Sequence, residues 1–173
     1  MPTADESTRF DVILGVGNPL MGDDGLGISV VARLRAGWGG DEESALMLVD
    51  GGTWGMNLLP IIEQARRLLI VDAIDRGAEP GTFVTLQRDE IPRYLGRTLS
   101  PHQLDLREVL ALAELRGTLP EETTAVGIQP ERIELSLMLS PVVSATVPAL
   151  LDDIEFRLRR WGYAPRAVEV TNA

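Results

Sequence analysis

Residues 14–27, Leu-Gly-Val-Gly-Asn-Pro-Leu-Met-Gly-Asp-Asp-Gly-Leu-Gly, constrain the fold of this chain more than any other stretch. They follow a mostly apolar run, Phe10 to Leu14, that reads as a first β-strand. Gly17-Asn18-Pro19 forces a turn, because proline fixes φ and glycine permits backbone angles other residues avoid. Asp23 and Asp24 then stand where an amphipathic helix begins, and that helix is expected from about Asp24 to Arg35 with Ile28, Val31 and Leu34 on its apolar face. A strand, a glycine-rich turn and acids at its far end are how α/β proteins build a site at the carboxyl edge of a sheet.

The pattern recurs. Ala45 to Val49 is a continuous apolar run ending in Asp50-Gly51-Gly52-Thr53, and Leu68 to Val71 is another ending at Asp72. Thr53 can cap a second helix reaching Glu63, with Pro60 at a kink or an edge. Runs that are apolar on both faces fit a sheet covered by helices on both sides. Pro80-Gly81 marks a turn into a strand over Thr82 to Leu86. Arg88 to Ser100 has little period and reads as a loop with short turns, closed by His102 in a Ser-Pro-His-Gln-Leu turn. A helix is expected from Gln103 to Leu115, a strand from Thr123 to Ile128, and a short extended piece over Arg132 to Leu137. Ser140-Pro141 is a helix cap followed by proline at the first helical position. That last helix runs to about Trp161, with Val143, Val147, Leu151, Ile154 and Leu158 as its buried stripe. The order β-α-β-α-β-β-α-β-α predicts one α/β domain over residues 1–173, its core about 10–161 and its tails, 1–9 and 162–173, loose. If the first three strands are parallel, right-handed crossovers bring Asp24, Asp50 and Asp72 to one edge.

Composition removes several chemistries. The chain has no cysteine, which excludes disulfides, thiolate nucleophiles and thiolate-bound clusters. It has one histidine, so a His-Glu-x-x-His zinc protease is impossible and any Ser-His-Asp triad would have to use His102. A net charge of −10 speaks against nucleic acid and anionic membranes as partners. No apolar run approaches the ~20 residues of a membrane span. The polar first nine residues lack a signal-peptide core, and a cytoplasmic location is the expectation.

A dinucleotide site fits poorly. Gly15-x-Gly17 opens like G-x-G-x-x-G, but the third position is Leu20, and Asp50 follows Gly15 by 35 residues where the ribose acid is expected ~20 on. Asp23 and Asp24 would also repel pyrophosphate at the helix N-terminus. A metal fits better: one imidazole and two carboxylates form an N/O donor set suited to Zn²⁺, Ni²⁺, Mn²⁺ or Fe²⁺. Each residue also has an ordinary structural reading. Asp23 or Asp24 can be a helix cap, Asp72 a strand-end acid bonded to backbone N–H groups, and His102 a surface or core residue.

Four motifs taken together carry a resemblance. Gly15-Val16-Gly17-Asn18-x-Leu20-x-x-Asp23-Asp24-Gly25-x-Gly27, Asp50-Gly51-Gly52-Thr53-x-Gly55, Val71-Asp72-Ala73 and Ser100-Pro101-His102-Gln103 closely resemble the maturation endopeptidases of [NiFe] hydrogenases. The resemblance runs from about Val12 to Trp161. Each motif alone is modest; the four in order at these spacings are specific. The resemblance implies a single-domain three-layer α/β/α sandwich with a twisted, mostly parallel sheet. It implies an endopeptidase that removes the C-terminal extension of the hydrogenase large-subunit precursor after nickel insertion. By position it makes Asp24, Asp72 and His102 the metal ligands and catalytic residues, with Asp50 a further catalytic acid of no fixed role. The metal so recognised would be the nickel of the precursor, with no firmly resident cofactor. Other readings are a metal-sensing chaperone that binds the precursor without cutting it, a related α/β peptidase with another precursor, and a nucleotide-dependent α/β enzyme.

Overall fold

The structure is a computed structural model that describes residues 9–38, 44–52, 55–94 and 101–166, the side chains of 101–105 excepted. Its described strands are β1 (Phe10–Val16), β2 (Leu46–Gly52), β3 (Ala65–Ala73), β4 (Phe83–Gln87) and β5 (Glu122–Ile128). They form one sheet in the order β2-β1-β3-β5-β4. β1 pairs in parallel with β2 and β3, β3 pairs in parallel with β5, and β4 lies antiparallel on β5 at one edge. The described helices are α1 (Leu26–Gly37), α2 (Leu59–Glu63), α3 (Ile91–Tyr94), α4 (Pro101–Leu115) and α5 (Pro141–Arg160).

Alternation along the central strands builds two cores. Val12, Leu14, Leu68 and Ile70 face one side, where Ile62 of α2, Ile91 of α3 and Leu106, Val109 and Ala113 of α4 cover them. Ile13, Leu69 and Val71 face the other, beneath Leu26, Val30, Val31 and Leu34 of α1 and Val143, Val147, Leu150, Ile154 and Leu158 of α5. Successive strand residues point to opposite faces, so a run apolar at every position feeds both layers. The fold is the expected α/β/α sandwich.

Several local expectations need correction. Asp24 belongs to a 3-10 turn, Gly22–Gly25, that precedes α1. The buried stripe of α1 contains Val30, while Ile28 is only partly covered. In α5 the stripe contains Leu150, with Leu151 at its margin. In place of one long second helix the chain makes a 3-10 turn, Gly55–Leu58, and then the short α2, with Pro60 in its first turn where no backbone donor is needed. Thr53, its expected cap, lies outside the described residues. The loop with short turns expected over Arg88 to Ser100 includes, in its described part, the single-turn helix α3. Arg132 to Leu137 is bends with one isolated bridge, Met21 to Ser136, in place of an extended piece.

The chain after Gly162 is tied down through its described part. The Tyr163 hydroxyl donates to Asp11 Oδ2 at 2.7 Å, and Arg166 N donates to Gly37 O at 2.8 Å. Residues 1–8 and 167–173 of the expected tails lie outside the described residues.

Candidate active site at the carboxyl edge of the sheet

The chain leaves β1 at Val16 and turns sharply at Gly17, whose φ is +120°. A Cβ there would lie 1.8 Å from the Asp24 carbonyl oxygen, so only glycine lets the chain fold back over the end of β1. Asn18 shapes the turn: its side-chain Oδ1 accepts from Leu20 N at 3.0 Å, and its backbone N donates to Asp24 Oδ2 at 3.0 Å. Gly27 lets α1 sink onto the sheet, since a Cβ there would lie 2.2 Å from Val71 O and 2.5 Å from Val16 O. The start of α1 is thus wedged against the carboxyl ends of β1 and β3. The 3-10 turn that carries Asp24 packs on β3, and Asp72 is the penultimate residue of that strand.

Asp24 and Asp72 are both fully buried. The folded-back turn and the neighbouring strands enclose them. Asp72 lies opposite Gly127 of β5, where a Cβ would come within 1.8 Å of Asp72 O. Asp50 is half-buried at the same edge, paired with Gly15 across β1 and β2. The glycines after Asp50 continue β2 instead of forming a separate turn. Gly51 has no side chain because Leu14 occupies that space: a Cβ would lie 2.6 Å from Leu14 Cδ1.

His102 sits in the first turn of α4, which begins at Pro101, two residues before the expected helix start. Fifteen helical residues span ~22 Å and seven strand residues ~23 Å. Since α4 ends just before β5 begins, its first turn lies toward the carboxyl edge. The His102 side chain lies outside the described residues. Among the described residues no three His, Cys, Asp or Glu side chains form a metal-sized group.

Asp23, the neighbour of Asp24, has a different environment. Its Oδ1 accepts from Ser140 N at 2.6 Å, and its Oδ2 accepts from Glu131 N at 2.9 Å, Arg132 N at 3.1 Å and Ser140 Oγ at 2.9 Å. It is fully buried and ties both ends of the loop between β5 and α5 to the site turn. Sequence reading missed a second positioning residue, Gln129, just past β5. Its Oε1 accepts from Arg76 N at 2.9 Å and Ala78 N at 3.1 Å, and its Nε2 donates to Asp75 Oδ1 at 2.9 Å. It therefore holds the loop that follows Asp72. A polar residue directly after the apolar run Ala125 to Ile128 was the available signal.

Comparison with known proteins puts this geometry in context. The family model HycI, described as hydrogenase maturation protease, matches residues 28–156. The hydrogenase expression/formation protein HupD of Rhodobacter capsulatus is 37% identical over 166 residues, covering 92% of this chain and 74% of its own. The hydrogenase 2 maturation protease of Escherichia coli K12 is 35% identical over 152 residues, covering 87% of this chain and 92% of its own. Among solved structures, the hydrogenase maturating endopeptidase HybD from E. coli superposes with a TM-score of 0.81 at 34% identity, covering 91% of this chain and 96% of that one. The [NiFe] hydrogenase maturation protease HybD from Thermococcus kodakarensis superposes with a TM-score of 0.64 at 27% identity, covering 86% and 99%.

Proposed function

The chain belongs to the hydrogenase maturation protease family, and we propose that it removes the C-terminal extension of a [NiFe] hydrogenase large-subunit precursor once nickel has been inserted. The observation that carries this reading is the carboxyl edge itself. Asp24 and Asp72 are buried there, on elements pinned by Gly17 and Gly27, and the helix turn bearing His102 lies toward the same edge.

In this reading Asp24, Asp72 and His102 grip the nickel that the precursor already carries. Two carboxylates and an imidazole are hard-to-borderline donors that suit Ni²⁺ without the thiolates of a closed structural site. The grip sets the scissile peptide in register, which is catalysis by positioning. Hydrolysis adds water across the C–N bond, leaving a carboxylate on the mature subunit and an amine on the released extension. Asp50, half-buried on the same edge, is the remaining acid that can orient the attacking water and take its proton. No firmly resident cofactor is required. In this reading the place of action is the cytoplasm. No described helix is long and apolar enough to cross a membrane.

Single substitutions test the assignment. Asp24→Asn, Asp72→Asn and His102→Ala should each stop processing of nickel-loaded precursor, read by intact mass, with circular dichroism unchanged. The amide retains the acceptor that Asn18 N needs, so the turn survives while the charge on the metal is lost. Wild-type cleavage by all three variants would overturn the assignment.

A further inference from the structure

A second feature of the same edge has no part in metal binding. The loop between β5 and α5 displays Leu135, Leu137 and Met138 at 84, 81 and 75% exposure, and Leu20 of the site turn is 53% exposed beside them. These four account for most of the exposed large hydrophobics among the described residues, and they fall on two strips of chain that touch. Ser136 N donates to Leu20 O at 2.9 Å and Gly22 N donates to Ser136 O at 2.8 Å, so residues 20–22 and 136 run side by side. Leu135 and Leu137 flank the bridging Ser136, so both leucines stand beside the strip that carries Leu20.

The ledge is built rather than slack. Asp23 fixes its two ends through Glu131, Arg132 and Ser140, and Ser136 Oγ bonds Met138 N and O, both at 3.1 Å. A monomer gains nothing by clustering apolar side chains in water, and exposure of this kind marks an interaction surface. Exposed Glu131, Arg132 and Glu134 precede it in the same loop and set charge beside the apolar centre. Its anchor, Asp23, is the residue adjacent to Asp24, so the ledge is continuous with the catalytic edge.

We infer that Leu20, Leu135, Leu137 and Met138 form the docking ledge for an apolar surface of the polypeptide whose peptide bond is cut. The inference rests on the proposed endopeptidase function. Continuity with the site selects this occupant: a chain whose metal reaches Asp24 passes over the strip next to it. The leucine pair, on a backbone held through Ser136, supplies the anchor, and the flexible thioether of Met138 adapts to the partner's shape. The ledge thereby adds recognition remote from the reacting bond, and its removal should weaken binding while leaving the chemical step intact.

The test is the double variant Leu135→Ser/Leu137→Ser, with Leu115→Ser as control, a leucine of equal exposure (85%) at the end of α4. Both changes replace solvent-facing side chains, and unchanged thermal unfolding verifies the fold. Processing of nickel-loaded precursor should show KM raised about tenfold with kcat within about twofold, and Leu115→Ser should match wild type. Leu135→Met/Leu137→Met should restore wild-type KM. Precursor binding by immobilised wild type and variants is measured separately from cleavage. Binding without cleavage by wild type would sink the endopeptidase reading, while a weakened double variant in the same assay would still support the ledge. Wild-type KM and binding in the double variant would overturn the ledge. So would sedimentation showing a wild-type dimer that the double variant breaks without changing KM, because the ledge would then join two copies of this chain.

Discussion

Asp23 and Asp24 are adjacent, identical in type and both fully buried, yet their side chains do different work. The Asp23 carboxylate is consumed by four hydrogen bonds from Ser140, Glu131 and Arg132. Asp24 gives one oxygen to Asn18 N and stands at the sheet edge. Asp23→Ala would strand buried N–H donors and should destabilise the protein by about 3 kcal/mol in urea unfolding. Asp11 forms another buried centre, at the opposite end of β1. Burial opposes its charge, but hydrogen bonds from Arg67, Arg66 and Tyr163 prevail and hold its carboxyl well below the usual carboxylate range. A depressed folded-state value stabilises the protein above the unfolded value and is lost as pH falls through the folded one. Stability should therefore decline as pH drops below about 3.9, and Asp11→Asn should flatten that decline in acid unfolding curves. For Tyr163, burial and the neighbouring Asp11 push the phenol up to about 12. Its contribution is present below the unfolded value and is lost as pH rises through the folded one. Ultraviolet titration should show one of the two tyrosines ionising only near about 12.

At the scale of elements, the site depends on how closely α1 approaches the sheet. Gly27→Ala would put a methyl 2.2 Å from Val71 O, a contact only backbone movement can relieve. That variant should lose several kcal/mol, of order 3, and lose processing with it, as thermal unfolding and precursor cleavage would show. Ser140 joins two elements: its hydroxyl accepts from Val143 N in the first turn of α5 and donates to Asp23. The order of strands and acids along the chain was enough to bring Asp24, Asp50 and Asp72 to one edge, because parallel strands with right-handed crossovers all end there. The role of Asp23 was not legible, since its partner Ser140 is 117 residues away and nothing local separates it from Asp24. Asp11 was equally hidden: an acid early in a strand looks solvent-facing until Arg66 and Tyr163, 55 and 152 residues on, close over it. Helix stripes were legible to within one or two residues, as Leu151 for Leu150 and Ile28 for Val30 show. At a stripe's margin, apolar residues one or two positions apart fit the same period about equally well, and packing chooses between them.

Across the whole molecule the labour divides by edge. The amino-terminal edge of the sheet is locked by Asp11, its two arginines and Tyr163, with Arg67 stacked 4.7 Å over Trp161 and Trp161 Nε1 donating to Glu122 at 2.9 Å. The carboxyl edge holds the buried acids, the glycine turns and the exposed apolar ledge. A rigid base beneath a ligand-presenting edge is what a positioning catalyst needs. The central claim is that this edge reads nickel borne by the precursor. The most direct measurement treats the protease with a chelator, removes the chelator, and incubates it with nickel-loaded and with nickel-free precursor, following intact mass. Cleavage of the nickel-loaded precursor alone is the expected result. Cleavage of both, or activity that is lost on stripping and returns only when Zn²⁺ is added to the protease, would contradict it.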